Sequence, residues 1–231
     1  MISSDTGVTR TLVVEDQSMF SDLLCKVCRS SLPAADVFAV DRAARARFWL
    51  QQAGWMLLIL DIHLPDDNGF KLADEALSLV PALKIVGISA DCSAFTVYQA
   101  LHSPLHAFLD KSSQCVQDLL RALQVVAAGG KYYSPAVLAM KHWLDSSPDS
   151  FTKRLSPQEM MILGYIGQGW SDPSIGRRLG LAPETVQWHR KQLMRRLGLK
   201  NRLELLAYAN QKGFANLAES TVLEPPKPTL R

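Results

Sequence analysis

At 231 residues, with 48% hydrophobic and 20% charged residues, the chain has the make-up of an ordinary globular protein and room for two modest domains. No apolar run approaches the roughly 20 residues that cross a bilayer, and the N-terminal MISSDTGVTR lacks the apolar core of a secretory signal, so a cytoplasmic protein without a membrane partner is expected. The net charge of +3 hides an asymmetry: residues 1–128 carry 10 Lys and Arg against 14 Asp and Glu, whereas residues 153–217 carry 11 against 4, which points to two jobs, the second involving a polyanion.

Short apolar runs alternate with helix-period segments through the first half. Strands are predicted at Thr11–Val14, Val37–Val40, Met56–Leu60, Lys84–Ile88 and Ala107–Leu109, with helices over about 18–31, 42–53, 69–80, 93–103 and 114–128. The runs LLIL and IVGI do not alternate with polar residues, so they read as strands covered on both faces. Five strand-then-helix units predict a doubly wound, five-stranded parallel α/β sheet over 9–128. Cys25 and Cys28 form a C-x-x-C pair inside the first helical pattern, but no second pair or nearby His completes a metal set, so they read as buried thiols.

Gly129-Gly130 stops the last of these helices, and Ser134-Pro135 can start a short further one. Residues 129–152 therefore read as a linker with a possible short helix, flexible over the Ser-, Asp- and Pro-rich stretch 145–152. From 153 to 217 there is no strand pattern. Four short helices are predicted, about 157–167, 172–179, 183–197 and 202–212, followed by a disordered tail, 218–231.

The chemistry-bearing residues of the first half lie where strands end. Glu15-Asp16 follow the first strand, Asp61 the third, Ser89 the fourth and Asp110-Lys111 the fifth. Ligands of open parallel sheets bind outside these carboxyl ends. Clustered carboxylates repel one another unless a cation sits among them, and Mg²⁺ suits a site with few carboxylates and room for a phosphoryl oxygen. A carboxylate can also attack a phosphoryl group, with Lys111 neutralising the transferred charge and Ser89 donating a hydrogen bond to it.

This half resembles the receiver domain of two-component response regulators, a flavodoxin-like fold. The resemblance rests on Glu15-Asp16, the D-x-x-x-P of Asp61 and Pro65, Gly69, Ser89-Ala90 and Lys111, in that order. It implies that Asp61 accepts phosphate from a histidine kinase, that Glu15, Asp16 and Asp61 hold Mg²⁺, and that Ser89 and Lys111 contact the phosphoryl group. It also puts Phe108 at the position of an aromatic switch, where strand packing is the competing role. His63 falls where side chains influence phosphoryl lifetime, although an exposed loop histidine is the simpler expectation. Glu15 departs from the more usual Asp, and its extra methylene alters the geometry offered to Mg²⁺.

In the second half, a helical wheel over 183–197 groups Val186, Leu193 and Leu197 on a core face. Glu184, Trp188, Lys191 and Arg195 fall opposite, with Gln187 at the edge, His189 on a flank within reach of a phosphate, and Arg190 near the apolar face with its charge snorkelled outward. An exposed aromatic beside two cations, on a helix entered by a turn at Gly180, suits a reader of the DNA major groove. The region resembles the LuxR-type helix-turn-helix of the NarL/FixJ class, through Leu155-Ser156-x-x-Glu159, Gly169, Ser171, Ile175, Leu179, Thr185-Val186, His189, Leu197 and Arg202-x-Glu204-Leu205. The resemblance implies DNA binding through Thr185, Gln187, Trp188, His189, Lys191 and Arg195, and a homodimer on paired half-sites. Gln187 stands where the family often has Lys, and Asp172-Pro173 where it often has Asn-Lys, which predicts an altered sequence preference.

Together the halves predict a transcription regulator in which phosphorylation of Asp61 controls DNA binding. The alternative is a pseudo-receiver that regulates DNA binding without phosphate, under a protein or small-molecule partner. An independent enzyme is not expected, because no third domain exists to carry catalysis.

Overall fold

The uninterrupted apolar runs become the central strands of a parallel sheet. The computed structural model describes residues 10–32, 35–111 and 115–216, so the expected tail lies outside the described residues. Within them, β1 (Arg10–Val14), α1 (Ser18–Ser31), β2 (Asp36–Val40), α2 (Ala43–Leu50), β3 (Trp55–Asp61), α3 (Gly69–Leu79), β4 (Lys84–Ser89), α4 (Ala94–His102), β5 (Ala107–Asp110) and α5 (Cys115–Ala127) alternate along the chain. Every strand pair is parallel, and the order β2-β1-β3-β4-β5 is the flavodoxin-like one, with its reversal beside β1.

Period two explains the layering. Val13, Ile59, Val86 and Leu109 point to one face, where Leu24 and Cys28 of α1 and Leu119 and Val126 of α5 bury them. Leu12, Leu58 and Leu60 point to the other and are equally inaccessible. Each such side chain contributes about 2 kcal/mol of burial. Cys25 and Cys28 belong to this core, and burial pushes the Cys28 thiol up to about 12, so both behave as small apolar groups.

Among the described residues the sheet has six strands rather than five. β6 (Tyr132–Tyr133) pairs with β5 through Ala107↔Tyr132 and Phe108↔Tyr133. Two side-chain bonds hold it there: the Tyr132 hydroxyl donates to Asp118 at 2.7 Å, and Ser134 Oγ accepts from the Asp110 N–H at 3.1 Å. Two residues are too few to show an alternation, so periodicity alone reads them as linker. Of 129–152, the short helix expected after Ser134-Pro135 forms, and only the stretch 145–152 is more ordered than expected. A helix, α6 (Pro135–Ser146), follows, and Phe151 begins a short 3₁₀ turn in which it is buried against Phe214, ring centroids 4.9 Å apart. One aromatic among polar residues anchors a stretch that composition reads as flexible.

The remaining helices are α7 (Pro157–Gly167), α8 (Asp172–Leu179), α9 (Pro183–Leu197) and α10 (Arg202–Gln211). Their ends are written locally. Ser156 and Glu159 form a reciprocal capping box on α7, and Ser171 and Asn201 cap α8 and α10. Gly180, at φ 67°, ends α8 in the left-handed conformation that a side chain would strain, which sets the turn into α9. Contacts divide the chain into two compact units, Met1–Cys92 with Gln99–Ala139, and Ser93–Tyr98 with Met140–Arg231.

Candidate functional site

In the first unit, strand register converts sequence positions into a pocket. Parallel pairing aligns Val14 with Leu60, Asp61 with Ile88 and Ser89 with Asp110, so the strands end at one rim. There one carboxylate oxygen from each of Glu15, Asp16 and Asp61 lies within 4.8 Å of the others. Lys111 Nζ sits 2.7 Å from Glu15 Oε2 and 2.7 Å from Asp61 Oδ2. Glu15 and Asp61 are buried, Lys111 is largely covered with 9% of its side chain exposed, and Asp16 is exposed at the mouth. The Lys111 ammonium also lies over the Phe20 ring, 5.0 Å from its centroid.

The loop after β3 is tight for a definable reason. The Asp61 Oδ1 accepts the His63 N–H at 3.0 Å, and the Gly69 N–H donates to Ile62 O at 2.8 Å. A Cβ at Gly69 would fall 2.5 Å from Asp61 O and 2.7 Å from Ile62 Cα, both backbone, so only glycine lets α3 start against this loop. Asn68 caps that start by accepting the Phe70 N–H.

The electrostatics ask for positive charge. Burial, joined by the Asp61 carboxylate, pushes the Glu15 carboxyl above its ordinary value in spite of Lys111. Burial disfavours the Lys111 ammonium, yet the carboxylates of Asp61 and Glu15 outweigh it and hold its pKa above the usual lysine value. Three convergent oxygens with no nitrogen or sulfur donor form a hard-cation set, which fits Mg²⁺.

Ser89 is fully buried beside this group. Its Oγ accepts the Asp91 N–H at 3.0 Å and lies 3.1 Å from His63 Nδ1. Sequence reasoning left His63 in an exposed loop. The ring is part-exposed, but it touches the one hydroxyl expected to face a phosphoryl group. Its offset of two residues from Asp61 was the available signal. Phe108 is fully buried on β5, 6.3 Å from the Phe70 ring, and is therefore a packing residue in this state.

The second unit presents α9. Val186 and Leu193 are fully buried, and Leu197 partly, as the wheel requires. Gln187, Trp188, Lys191 and Arg195 are exposed on the opposite side, Trp188 to 54%, with Thr185 half-buried at the helix start. Lys191 makes no ion pair among the described residues. His189 is half-buried with its ring edge against Trp188, 4.9 Å between centroids, and its Nδ1 is buried without a hydrogen bond.

Arg190 is a correction. It does not snorkel. Its side chain is only 16% exposed and forms a two-pronged pair with Asp172, at 3.1 Å from Nε and 2.9 Å from the terminal nitrogen. Arg202 joins from α10 at 3.1 Å. Asp172, the acidic departure noted in the sequence, therefore ties α8 to α9 and α10. Burial alone would raise its pKa, but the two guanidinium groups win and hold it below the usual carboxylate range. A second such tie links Arg196 on α9 to Glu159 on α7 at 2.8 Å.

Known proteins carry both patterns. Residues 11–124 match the response regulator receiver domain, and residues 153–209 match the bacterial regulatory proteins of the luxR family. The transcriptional regulatory protein UhpA of Escherichia coli is 35% identical over 153 residues, covering 66% of this chain and 72% of that protein. The nitrate/nitrite response regulator NarL of the same organism is 28% identical over 186 residues, 78% and 86% of the two chains. Among solved structures, RcsB of Salmonella enterica serovar Typhimurium, bound to promoter P1flhDC in the presence of phosphomimetic BeF₃⁻, has a TM-score of 0.62 at 20% identity, covering 89% of this chain and 99% of that one, which supports the shared fold. No helix among the described residues is long and apolar enough to cross a membrane. With a receiver-type carboxylate pocket on a flavodoxin-like sheet and a LuxR-type helix-turn-helix later in the sequence, this chain belongs to the NarL/FixJ family of response regulators, which are transcriptional regulators.

Proposed function

We propose that Asp61 accepts a phosphoryl group from a partner histidine kinase, and that this event controls sequence-specific binding of a homodimer to paired DNA half-sites through α9. The switch would occupy residues 9–128, the connection 129–152 and the DNA-binding part 153–217. One observation carries the reading: a single ammonium, Lys111 Nζ, lies 2.7 Å from both Asp61 and Glu15 in a pocket that gathers three carboxylates.

The chain's own groups account for the chemistry. Attack by an Asp61 oxygen forms a new O–P bond as the P–N bond to the kinase histidine breaks. Lys111 is already placed to follow the negative charge onto the phosphoryl oxygens, and Ser89 supplies a hydroxyl on the adjacent strand end. Glu15, Asp16 and Asp61 would hold Mg²⁺, which neutralises charge on the transferred group when bound. The product adds charge and acceptor oxygens at one rim of the sheet, where Ser89 and Phe108 respond. On α9, Lys191 and Arg195 would meet phosphates, Gln187 and Trp188 the groove, Thr185 the backbone at the helix start and His189 a phosphate from the helix flank.

Incubation with radiolabelled acetyl phosphate and Mg²⁺ tests the assignment. The wild type should acquire label and Asp61→Asn should not. Equal labelling of the two would overturn it.

A further inference from the structure

Asp172 stands where α8 begins, yet its carboxylate serves the two helices that follow. Both of its oxygens accept from the Arg190 guanidinium on α9, Oδ1 at 3.2 Å and Oδ2 at 3.1 Å from Nε, with Oδ2 also 2.9 Å from a terminal nitrogen. Arg202, at the start of α10, reaches Oδ1 at 3.1 Å and also donates to the Trp170 carbonyl, so it grips the chain on either side of the Ser171 cap. The Asp172 and Arg190 side chains are only 14% and 16% exposed. Ile175 on α8 and Val186 and Leu193 on α9 are fully buried, but burial of apolar surface is non-directional. A planar guanidinium on a carboxylate fixes direction as well as distance. Asparagine, which the family often carries at this position, offers one acceptor oxygen and cannot complete the fork. Arg190 lies three residues after Gln187 and one before Lys191, so the tie holds the turn of α9 that presents both.

We propose that Asp172 is a positioning residue: by clamping Arg190 and Arg202 it fixes the angle and rotation of α9, and so sets how sharply the protein tells its own DNA site from other sequence. The proposal rests on the reading of α9 as the helix that enters the groove. Contacts to phosphates come from charge and tolerate a loosely held helix. Hydrogen bonds to base edges need each side chain held in place. Loosening the tie therefore removes sequence-specific affinity and spares the affinity for arbitrary duplex.

The test uses the full-length protein at one salt concentration and two duplexes of equal length, a genomic fragment recovered with the wild type and a scrambled sequence. The readout is the ratio of the two affinities. Partial unfolding, or the loss of one negative charge, moves both affinities together and cancels in this ratio. Asp172→Asn should lower the ratio on the order of ten-fold, the value of one well-made base contact. Arg190→Met, which keeps the apolar stem and loses the fork, should lower it equally, and the double variant should be no worse than either single one. Ser156→Ala weakens the cap of α7 and leaves the tie intact, so it should keep the wild-type ratio. An unchanged ratio in Asp172→Asn overturns the proposal, as do additive losses in the double variant or an equal loss in Ser156→Ala. A wild type that binds both duplexes alike would instead bring down the reading of α9, and the role of Asp172 with it.

Discussion

The carboxylate pocket and the outer face of α9 use charge in opposite ways. In the pocket, Glu15 and Asp61 are buried, Lys111 is largely covered, and each is answered at 2.7 Å by another. On α9, Lys191 and Arg195 stand in solvent beside an exposed Trp188. Buried charge is costly to leave unpaired, so the pocket is a stored imbalance that a cation or a phosphoryl group can tip. Exposed charge costs little to hold, is screened by salt, and is ready for a polyanion. The same contrast recurs within the second unit, where Asp172 and Arg190 are turned inward as a clamp, joined by the partly solvated Arg202, while the neighbours of Arg190 on α9 face out.

Substitutions that strand a buried charge should therefore have the largest effects. Lys111→Ala leaves Glu15 and Asp61 facing each other without an ammonium. In chelator, its unfolding free energy should drop by about 3 kcal/mol, and Mg²⁺ should recover most of the loss. Chemical denaturation with and without Mg²⁺ checks this, and insensitivity to the ion would count against the pocket's charge balance.

Asp172→Asn should come next, at about 2 kcal/mol, because Arg202 is partly solvated and Arg190 alone loses its main partner. The same residue makes a pH prediction. Its folded pKa is lowered, so its contribution is complete above the ordinary aspartate value of 3.8 and is lost as pH falls through the lower folded value. Acid titration of stability should show that loss in the wild type and a weaker one in Asp172→Asn.

The smallest effect should come from the solvated face. Lys191→Ala removes one phosphate contact, which lowers the slope of log affinity against log salt by about 0.9 and leaves folding unchanged. Fluorescence anisotropy across salt concentrations measures it, and an unaltered slope would remove Lys191 from the interface.

The parts legible in the sequence were those that repeat or cap. The runs around Leu58 and Val86 gave the central strands to within a residue or two, and Ser156 with Glu159 marked the start of α7. The strand-end rule was enough to bring Glu15, Asp16, Asp61 and Lys111 together. What stayed hidden depends on pairing across sequence distance. Tyr132 and Tyr133 form a strand only because β5 offers an open edge. Arg190 looked like a snorkelling residue because its wheel position is visible while its partner lies 18 residues earlier. His63 looked like a loop residue because its bond to Ser89 spans 26 residues and two strand ends.

The central claim is that the pocket governs the helix face, and DNA affinity measured with and without fluoroberyllate and Mg²⁺ tests it most directly. Using a genomic fragment recovered with the wild-type protein, the mimic should tighten wild-type binding by about ten-fold, an ordinary coupling of 1.4 kcal/mol, and should leave Asp61→Asn where it was. Equal affinity of the wild type with and without the mimic, or the same gain in Asp61→Asn, would contradict the account.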